Sequence, residues 1–75
     1  METSLVDLEK GDSGTITQIT GGYGQQRHMR SLGVREGKEI NIVAKQPIGG
    51  PIIIDIDGNQ IAIGRGMATR VMVKS

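Results

Sequence analysis

Twelve glycines divide this 75-residue chain into short segments, and many of them stand in pairs or at turn positions. The segments between them are aliphatic and rich in β-branched residues, with Tyr23 as the only aromatic side chain. Such runs, bounded by glycine and proline, are typical of short strands joined by tight turns, whereas a helical bundle needs longer uninterrupted segments. The pattern therefore predicts a mainly β fold of about five strands, in one domain that spans residues 1–75.

One short α-helix is predicted from Gln25 to Leu32, after a glycine-rich loop and within a run of good helix formers. Gly33 suits the left-handed position that follows a helix, and Val34 then lies where it can contact Met29, as in a Schellman ending. The five predicted strands cover residues 15–20, 38–45, 52–57, 60–63 and 71–73.

The hairpin between the third and fourth predicted strands has two possible registers. A Gly58-Asn59 loop would pair Ile56 with Ile61, whereas an Asp57-Gly58 loop would leave Ile56 opposite Asn59. A one-residue slip moves every side chain of a strand to the other face of the sheet. Continuity of the aliphatic core therefore favours the Gly58-Asn59 loop.

Composition excludes several classes of function. The absence of cysteine excludes disulfides, zinc–thiolate sites and cysteine nucleophiles, and it is compatible with a reducing cytoplasm. A net charge of +1 and a single aromatic residue argue against strong nucleic-acid binding, which needs basic patches and stacking platforms. No segment approaches the ~20 apolar residues of a transmembrane helix, and no signal peptide is visible. We therefore expect a cytoplasmic protein that reaches a membrane only through a partner.

Several ordered motifs give the chain a resemblance to the FeoA family. Two carry most of it, the unit Leu32-Gly33-Val34-x-x-Gly37 and the loop Pro47-Ile48-Gly49-Gly50-Pro51. The others, together covering roughly residues 5 to 73, are Leu5-x-x-Leu8-x-x-Gly11, Gly14-x-Ile16-x-x-Ile19-x-Gly21-Gly22, Ile61-Ala62-Ile63-Gly64-Arg65 and Val71-x-Val73. The resemblance implies a small SH3-like β-barrel with one short inserted α-helix.

The same resemblance implies a cytoplasmic accessory protein of ferrous iron uptake, which binds and modulates the cytoplasmic GTPase region of a FeoB-type membrane transporter. The barrel also resembles the C-terminal domain of iron-dependent repressors, so a metal-sensing module is an alternative. A small-barrel nucleic-acid or ribosome-associated protein is a second alternative. A monomer or a weak homo-oligomer would suit each of these interpretations.

Chemistry within the chain itself has few candidate residues. With one histidine, no Gly-x-Ser-x-Gly elbow and no phosphate-binding loop, no catalytic set can be named, and we expect no enzymatic activity. His28, Asp55 and Asp57 are weak candidates for holding a divalent metal, the two aspartates because they alternate onto one face of a strand. A weak Fe²⁺ site could form only where two chains meet, with a His28 ring from each. A solvated role is the simpler interpretation of all three side chains.

Partner binding has more candidates. Ile48 stands at a loop tip between Pro47 and the pair Gly49-Gly50, and Ile53 points away from its strand neighbours. Together they would form an apolar patch, although Ile48 could instead fold back to plug the barrel end. Three basic residues are candidates for contacts to an acidic partner surface or for a merely solvated face: Arg27, Arg30 and Arg65.

Overall fold

The structure, a computed structural model, describes residues 2–75. Six strands, a 3₁₀ turn, one α-helix of nine residues and a final four-residue helix follow one another along the chain. Their bounds are β1 Glu2–Ser4, the 3₁₀ turn Leu5–Asp7, β2 Ser13–Ile19, α1 Tyr23–Ser31, β3 Glu39–Lys45, β4 Ile52–Ile56, β5 Asn59–Ile63, α2 Arg65–Ala68 and β6 Val71–Lys74. The mainly β prediction with one short inserted helix is confirmed.

All six strands belong to one antiparallel sheet with the order β1-β6-β2-β3-β4-β5. The sheet curves around a single aliphatic core, to which β2 through β6, α1, α2 and the 3₁₀ turn all contribute buried side chains. The most deeply buried members include Leu5, Ile16, Met29, Ile40, Ile52, Ile54, Val34, Val71 and Val73. Among the described residues every fully buried side chain is apolar, so burial of apolar surface is the main favourable contribution to this fold.

The bounds of the five predicted strands lie within two residues of those expected, and two further differences concern an additional strand and the start of the helix. Residues 2–4 form a sixth strand, β1, which pairs with β6 through Thr3 and Val73. α1 begins at Tyr23 rather than Gln25, and the Gln25 side chain turns back to accept a hydrogen bond from the Gly22 N–H at 3.3 Å. That hydrogen bond satisfies a backbone donor at the start of the helix, and it favours a helix that begins before Gly24.

The predicted register of the β4–β5 hairpin is wrong. Ile56 lies opposite Asn59, and Ile54 lies opposite Ile61. The two-residue loop is Asp57-Gly58, with φ of 54° at Asp57 and 81° at Gly58. A type I′ turn needs positive φ at both central positions and strongly favours Asp-Gly. Turn chemistry therefore set the register. In this register Ile56, at the end of β4, has no apolar partner across the hairpin, whereas Ile54 keeps one.

The predicted end of α1 is confirmed. Gly33 has a φ of 93° and donates to the Arg30 carbonyl at 3.0 Å, while the Val34 N–H donates to the Met29 carbonyl at 3.0 Å. These are the two hydrogen bonds of a Schellman motif, and both Met29 and Val34 are buried. The motif turns the chain from the exposed helix back into the sheet.

Glycine-to-alanine changes at two positions are expected to have opposite effects. Gly33→Ala should lower the free energy of unfolding by about 1 kcal/mol, because a Cβ disfavours the left-handed backbone. Gly24→Ala should raise it by about 0.5 kcal/mol, because Gly24 is helical and an added Cβ meets nothing within 4 Å. Urea denaturation of both variants measures the difference, and equal shifts in midpoint would contradict the assignment of Gly33 to the left-handed position.

Candidate partner-binding surface

The loop between β3 and β4 projects an apolar side chain into solvent. Ile48 at its tip is 92% exposed, so the alternative in which it plugs the barrel end is wrong. Gly49 and Gly50 follow with φ of 58° and 68°, and a Cβ on Gly50 would come within 2.9 Å of the Gln46 side chain. The glycine pair therefore shapes the loop through its backbone, which leaves Ile48 as the side chain available for contact.

Arg65 braces this loop from α2. Its Nε donates to the Gly49 carbonyl at 2.8 Å, and its Nη2 donates to the Gln46 carbonyl. A planar guanidinium can hold two carbonyls at fixed separation, which a lysine ammonium does less well. Arg65 therefore holds the loop in place, and these two N–H donors are not free to bind an acidic partner.

Arg65→Lys is expected to loosen the loop with little effect on the core. One of the two hydrogen bonds should be lost, at a cost of about 1 kcal/mol in unfolding free energy. Amide hydrogen exchange at Ile48, Gly49 and Gly50 should become several-fold faster, because the free energy needed to open the loop falls by about 1 kcal/mol. Arg27→Lys, at an exposed position on α1, is the matched control and should leave the loop unchanged. Unaltered exchange in Arg65→Lys would show that the loop does not depend on the brace.

The outer face of β3, β4 and β5 carries a row of small and aliphatic side chains next to this loop. Ala44, Ile53 and Ala62 stand directly opposite one another across the three strands, and Ile53 is half-buried. This row lies one residue pair from the loop, since Lys45 and Ile52 form the last pair before it. Ile48 and Ile53 are thus placed at the same end of the β3–β4 hairpin.

The basic residues of α1 have different surroundings. Arg30 forms a two-donor ion pair with Glu36, with nitrogen–oxygen distances of 3.0 and 3.2 Å. A hydrogen bond from the backbone N–H of Glu36 itself, and then the Arg30 guanidinium, hold the pKa of that carboxyl below its ordinary value. The stabilisation is present above the pKa of the unfolded chain and is lost as the pH falls through the lower folded pKa. Arg27 is exposed and has no ion pair among residues 2–75.

The metal candidates are separated in the fold. β4 ends at Ile56, so Asp57 does not continue the face of Asp55 as the alternation predicted. It lies in the hairpin turn and forms an ion pair with Lys38 at 2.9 Å. His28 lies on α1, exposed to solvent. Within residues 2–75, no group of three or more histidine and acidic residues is placed to hold a metal ion.

Sequence reasoning missed the environment of Lys45. A register shift between Ile42 and Ala44 turns the end of β3, so that Lys45 stands opposite the buried Ile52. Its side chain is only 14% exposed. The alternation of a regular strand does not indicate such an orientation, because a bulge inserts one unpaired residue.

The Lys45 ammonium ties the N-terminal segment to the sheet. Its Nζ donates to the Val6 carbonyl at 2.8 Å and to the Leu8 carbonyl at 2.9 Å, and it contacts a Glu9 carboxylate oxygen at 3.0 Å. All three donors of the ammonium are therefore used. The contact fixes the 3₁₀ turn beside the start of the loop that carries Ile48.

A curved antiparallel sheet with one inserted helix and a braced apolar loop defines a small β-barrel domain. A family model for the FeoA domain matches residues 3–75. The chain therefore belongs to the FeoA family, which is a small accessory and regulatory fold and not a known enzyme family. The expected resemblance is confirmed.

Individual relatives agree with the family model. The chain is 33% identical over 70 residues to a Methanocaldococcus jannaschii protein provisionally named Fe(2+) transport protein A, covering 93% of this chain and 83% of that one. It is similar to the crystal structure of an iron uptake regulatory protein, FeoA, with 38% identity, a TM-score of 0.92, and coverage of 99% of this chain and 97% of that one. These matches associate the family with ferrous iron transport.

Two further solved structures have a similar fold. Stenotrophomonas maltophilia FeoA complexed with zinc, described as a procaryotic SH3 domain protein, has 26% identity and a TM-score of 0.81, with coverage of 96% of this chain and 89% of that one. A manganese-dependent transcriptional repressor has 25% identity and a TM-score of 0.93, covering 99% of this chain and 36% of the repressor. The SH3-like fold is therefore confirmed, as is its likeness to a domain of metal-dependent repressors. Within the described residues, no helix has the length and apolar character needed to span a membrane.

Proposed function

We propose that this chain is a cytoplasmic accessory protein of ferrous iron uptake that binds the cytoplasmic GTPase region of a FeoB-type membrane transporter. The observation that carries the proposal is Ile48, a large aliphatic side chain that is 92% exposed at the tip of a braced loop. In a FeoA-family chain, such a side chain supports a protein–protein contact. Ferrous iron enters the proposal as the cargo of the transporter.

Preorganisation of the loop supports this contact. Ile48 is flanked by Pro47, and the loop is held at two carbonyls by Arg65. A loop already fixed in its bound shape loses less conformational freedom when it docks. Burial of an isoleucine side chain contributes about 1.5–3 kcal/mol, so one residue of this kind can dominate a small interface.

The partner would contact the loop and the neighbouring outer face together. Ile53, flanked by Ala44 and Ala62, offers a second apolar surface at the same end of the hairpin. The small side chains on either side would let a partner approach the strands closely. Gly49 and Gly50 would shape this contact through the backbone, and Arg65 would act by holding the loop.

A direct titration tests the proposal. The purified cytoplasmic GTPase region of the transporter from the same organism is immobilised and titrated with this chain in the presence of GTP, of GDP and without nucleotide. The proposal expects saturable binding in at least one of the three states. Absence of binding in all three, with a GTPase region that still hydrolyses GTP, would overturn it. Titration with RNA under the same salt conditions tests the nucleic-acid alternative.

A further inference from the structure

β5 is the last strand in the sheet order, so one side of it faces away from β4. The pair Ile56–Asn59 flanks its two-residue loop and is hydrogen-bonded, and bonded and non-bonded pairs alternate along antiparallel strands. The backbone N–H and C=O groups of Gln60 and Ala62 therefore point away from β4. Both residues are exposed, and no turn, loop or cap hydrogen bond within residues 2–75 uses their backbone groups.

A small cleft lies beside this open edge, and its lining includes His28 as well as apolar side chains. Met29 and Leu32 of α1 line one side, and Ala62 and Met67 line the other. Leu32 is 38% exposed, so its side chain is accessible from the cleft. An edge strand with unpaired groups is a template for another strand, and pockets beside it accept alternate side chains of that strand.

Charge selects among the possible occupants. α1 carries Arg27, His28 and Arg30 without any acidic residue, and β5 carries no charged residue. Arg30 is paired with Glu36, whereas Arg27 has no ion pair within residues 2–75. A second copy of this chain would bring another Arg27 and His28 to the junction, together with an Arg30 that is already paired with Glu36. The charges therefore favour an acidic segment over a second copy.

We propose that the β5 edge binds an extended acidic segment of a partner protein as an added strand. Gln60 and Ala62 supply backbone hydrogen bonds, aliphatic side chains of the segment enter the cleft beside Leu32, and its carboxylates meet Arg27 and His28. This surface borders the outer face beside the Ile48 loop at Ala62, but it uses the backbone edge of β5 and the residues of α1. The proposal therefore goes beyond the transporter assignment and does not rest on it.

Peptides test the proposal without any transporter. The isotope-labelled chain is titrated with the blocked heptapeptide Glu-Val-Glu-Thr-Glu-Val-Glu and with the matched peptide in which lysine replaces every glutamate. The acidic peptide should shift the amide signals of β5 and α1 and slow amide exchange at Gln60 and Ala62 by several-fold. The lysine peptide should bind at least about 10-fold more weakly.

Two variants separate the edge from other surfaces. Ala62→Pro removes the outward N–H at a position where an edge strand tolerates proline, and it should abolish binding, while Ala62→Ser should retain it. If Ala62→Pro does not fold, the double variant Arg27→Glu with His28→Glu changes only exposed residues and should reverse the preference between the two peptides. Equal binding of both peptides, or signal shifts confined to the Ile48 loop, would overturn the proposal. Shifts of β5 that depend on protein concentration without peptide would assign the edge to a second copy instead.

Discussion

Replacing Lys45 with methionine is expected to lower the free energy of unfolding by about 2–4 kcal/mol, because two carbonyls in a largely buried site lose their donor. The ammonium now donates to the carbonyls of Val6 and Leu8, and methionine has a similar length but no donor. A domain of this size has a total stability of roughly 3–5 kcal/mol, so the variant should be partly unfolded near room temperature. Urea and thermal denaturation followed by circular dichroism measure the change.

Lys10→Met is the matched control. Lys10 is exposed and belongs to no ion pair within residues 2–75, so its replacement should change stability by less than about 0.5 kcal/mol. If Lys45→Met and Lys10→Met have the same unfolding midpoint, then the Lys45 ammonium does not hold the N-terminal segment. The structural account of the 3₁₀ turn would then be wrong.

Ile48→Asp is expected to weaken binding of the transporter's GTPase region by at least about 10-fold, because a desolvated aliphatic contact is replaced by a charge. The melting temperature should change by less than about 2 °C, because the side chain is exposed and contributes nothing to the core. The titration described above, repeated with the variant, measures the first effect, and calorimetry measures the second.

Tyr23→Asp provides the control for surface charge. Tyr23 is 80% exposed at the start of α1, where aspartate is well tolerated, and it lies outside the Ile48 loop. It should bind the GTPase region as the native chain does. An equal loss of affinity in both variants would indicate a general effect of added negative charge and would count against a contact at Ile48.

Local sequence signals predicted several parts of this fold correctly. The left-handed Gly33 and the contact between Met29 and Val34 follow from the helix ending alone, because a Schellman motif involves only neighbouring residues. Ile53 was likewise predicted to point away from its strand neighbours, and in β4 the residues on either side of it, Ile52 and Ile54, are buried. Signals confined to one element are sufficient in such cases.

The sequence-based predictions failed where two local preferences competed or where segments distant in sequence came into contact. At the β4–β5 hairpin, core continuity and turn chemistry indicated different registers, and the positive φ available to Asp57-Gly58 decided between them. Lys45 meets Val6 and Leu8 only because a bulge reorients it toward a segment almost forty residues earlier. No pattern within either segment reports that contact.

The candidate partner-binding surface was also predicted only in part from the sequence. Ile48 was identified from its position between Pro47 and two glycines, but only the structure distinguishes an exposed tip from a plug. Arg65 was identified as a basic residue near the end of β5, yet its contacts to Gln46 and Gly49 depend on how α2 packs beside the β3–β4 loop. The cleft between α1 and β5 joins elements nearly thirty residues apart, so it had no sequence signature.

Uptake of radiolabelled ferrous iron by cells that lack this chain tests the central claim most directly. The native chain, expressed from a plasmid, should restore the initial rate of uptake, whereas Ile48→Asp at the same protein level should not, and Tyr23→Asp should restore it. Full restoration by Ile48→Asp would contradict the role of the loop. Uptake that is unchanged by loss of the chain would contradict the assignment to ferrous iron transport itself.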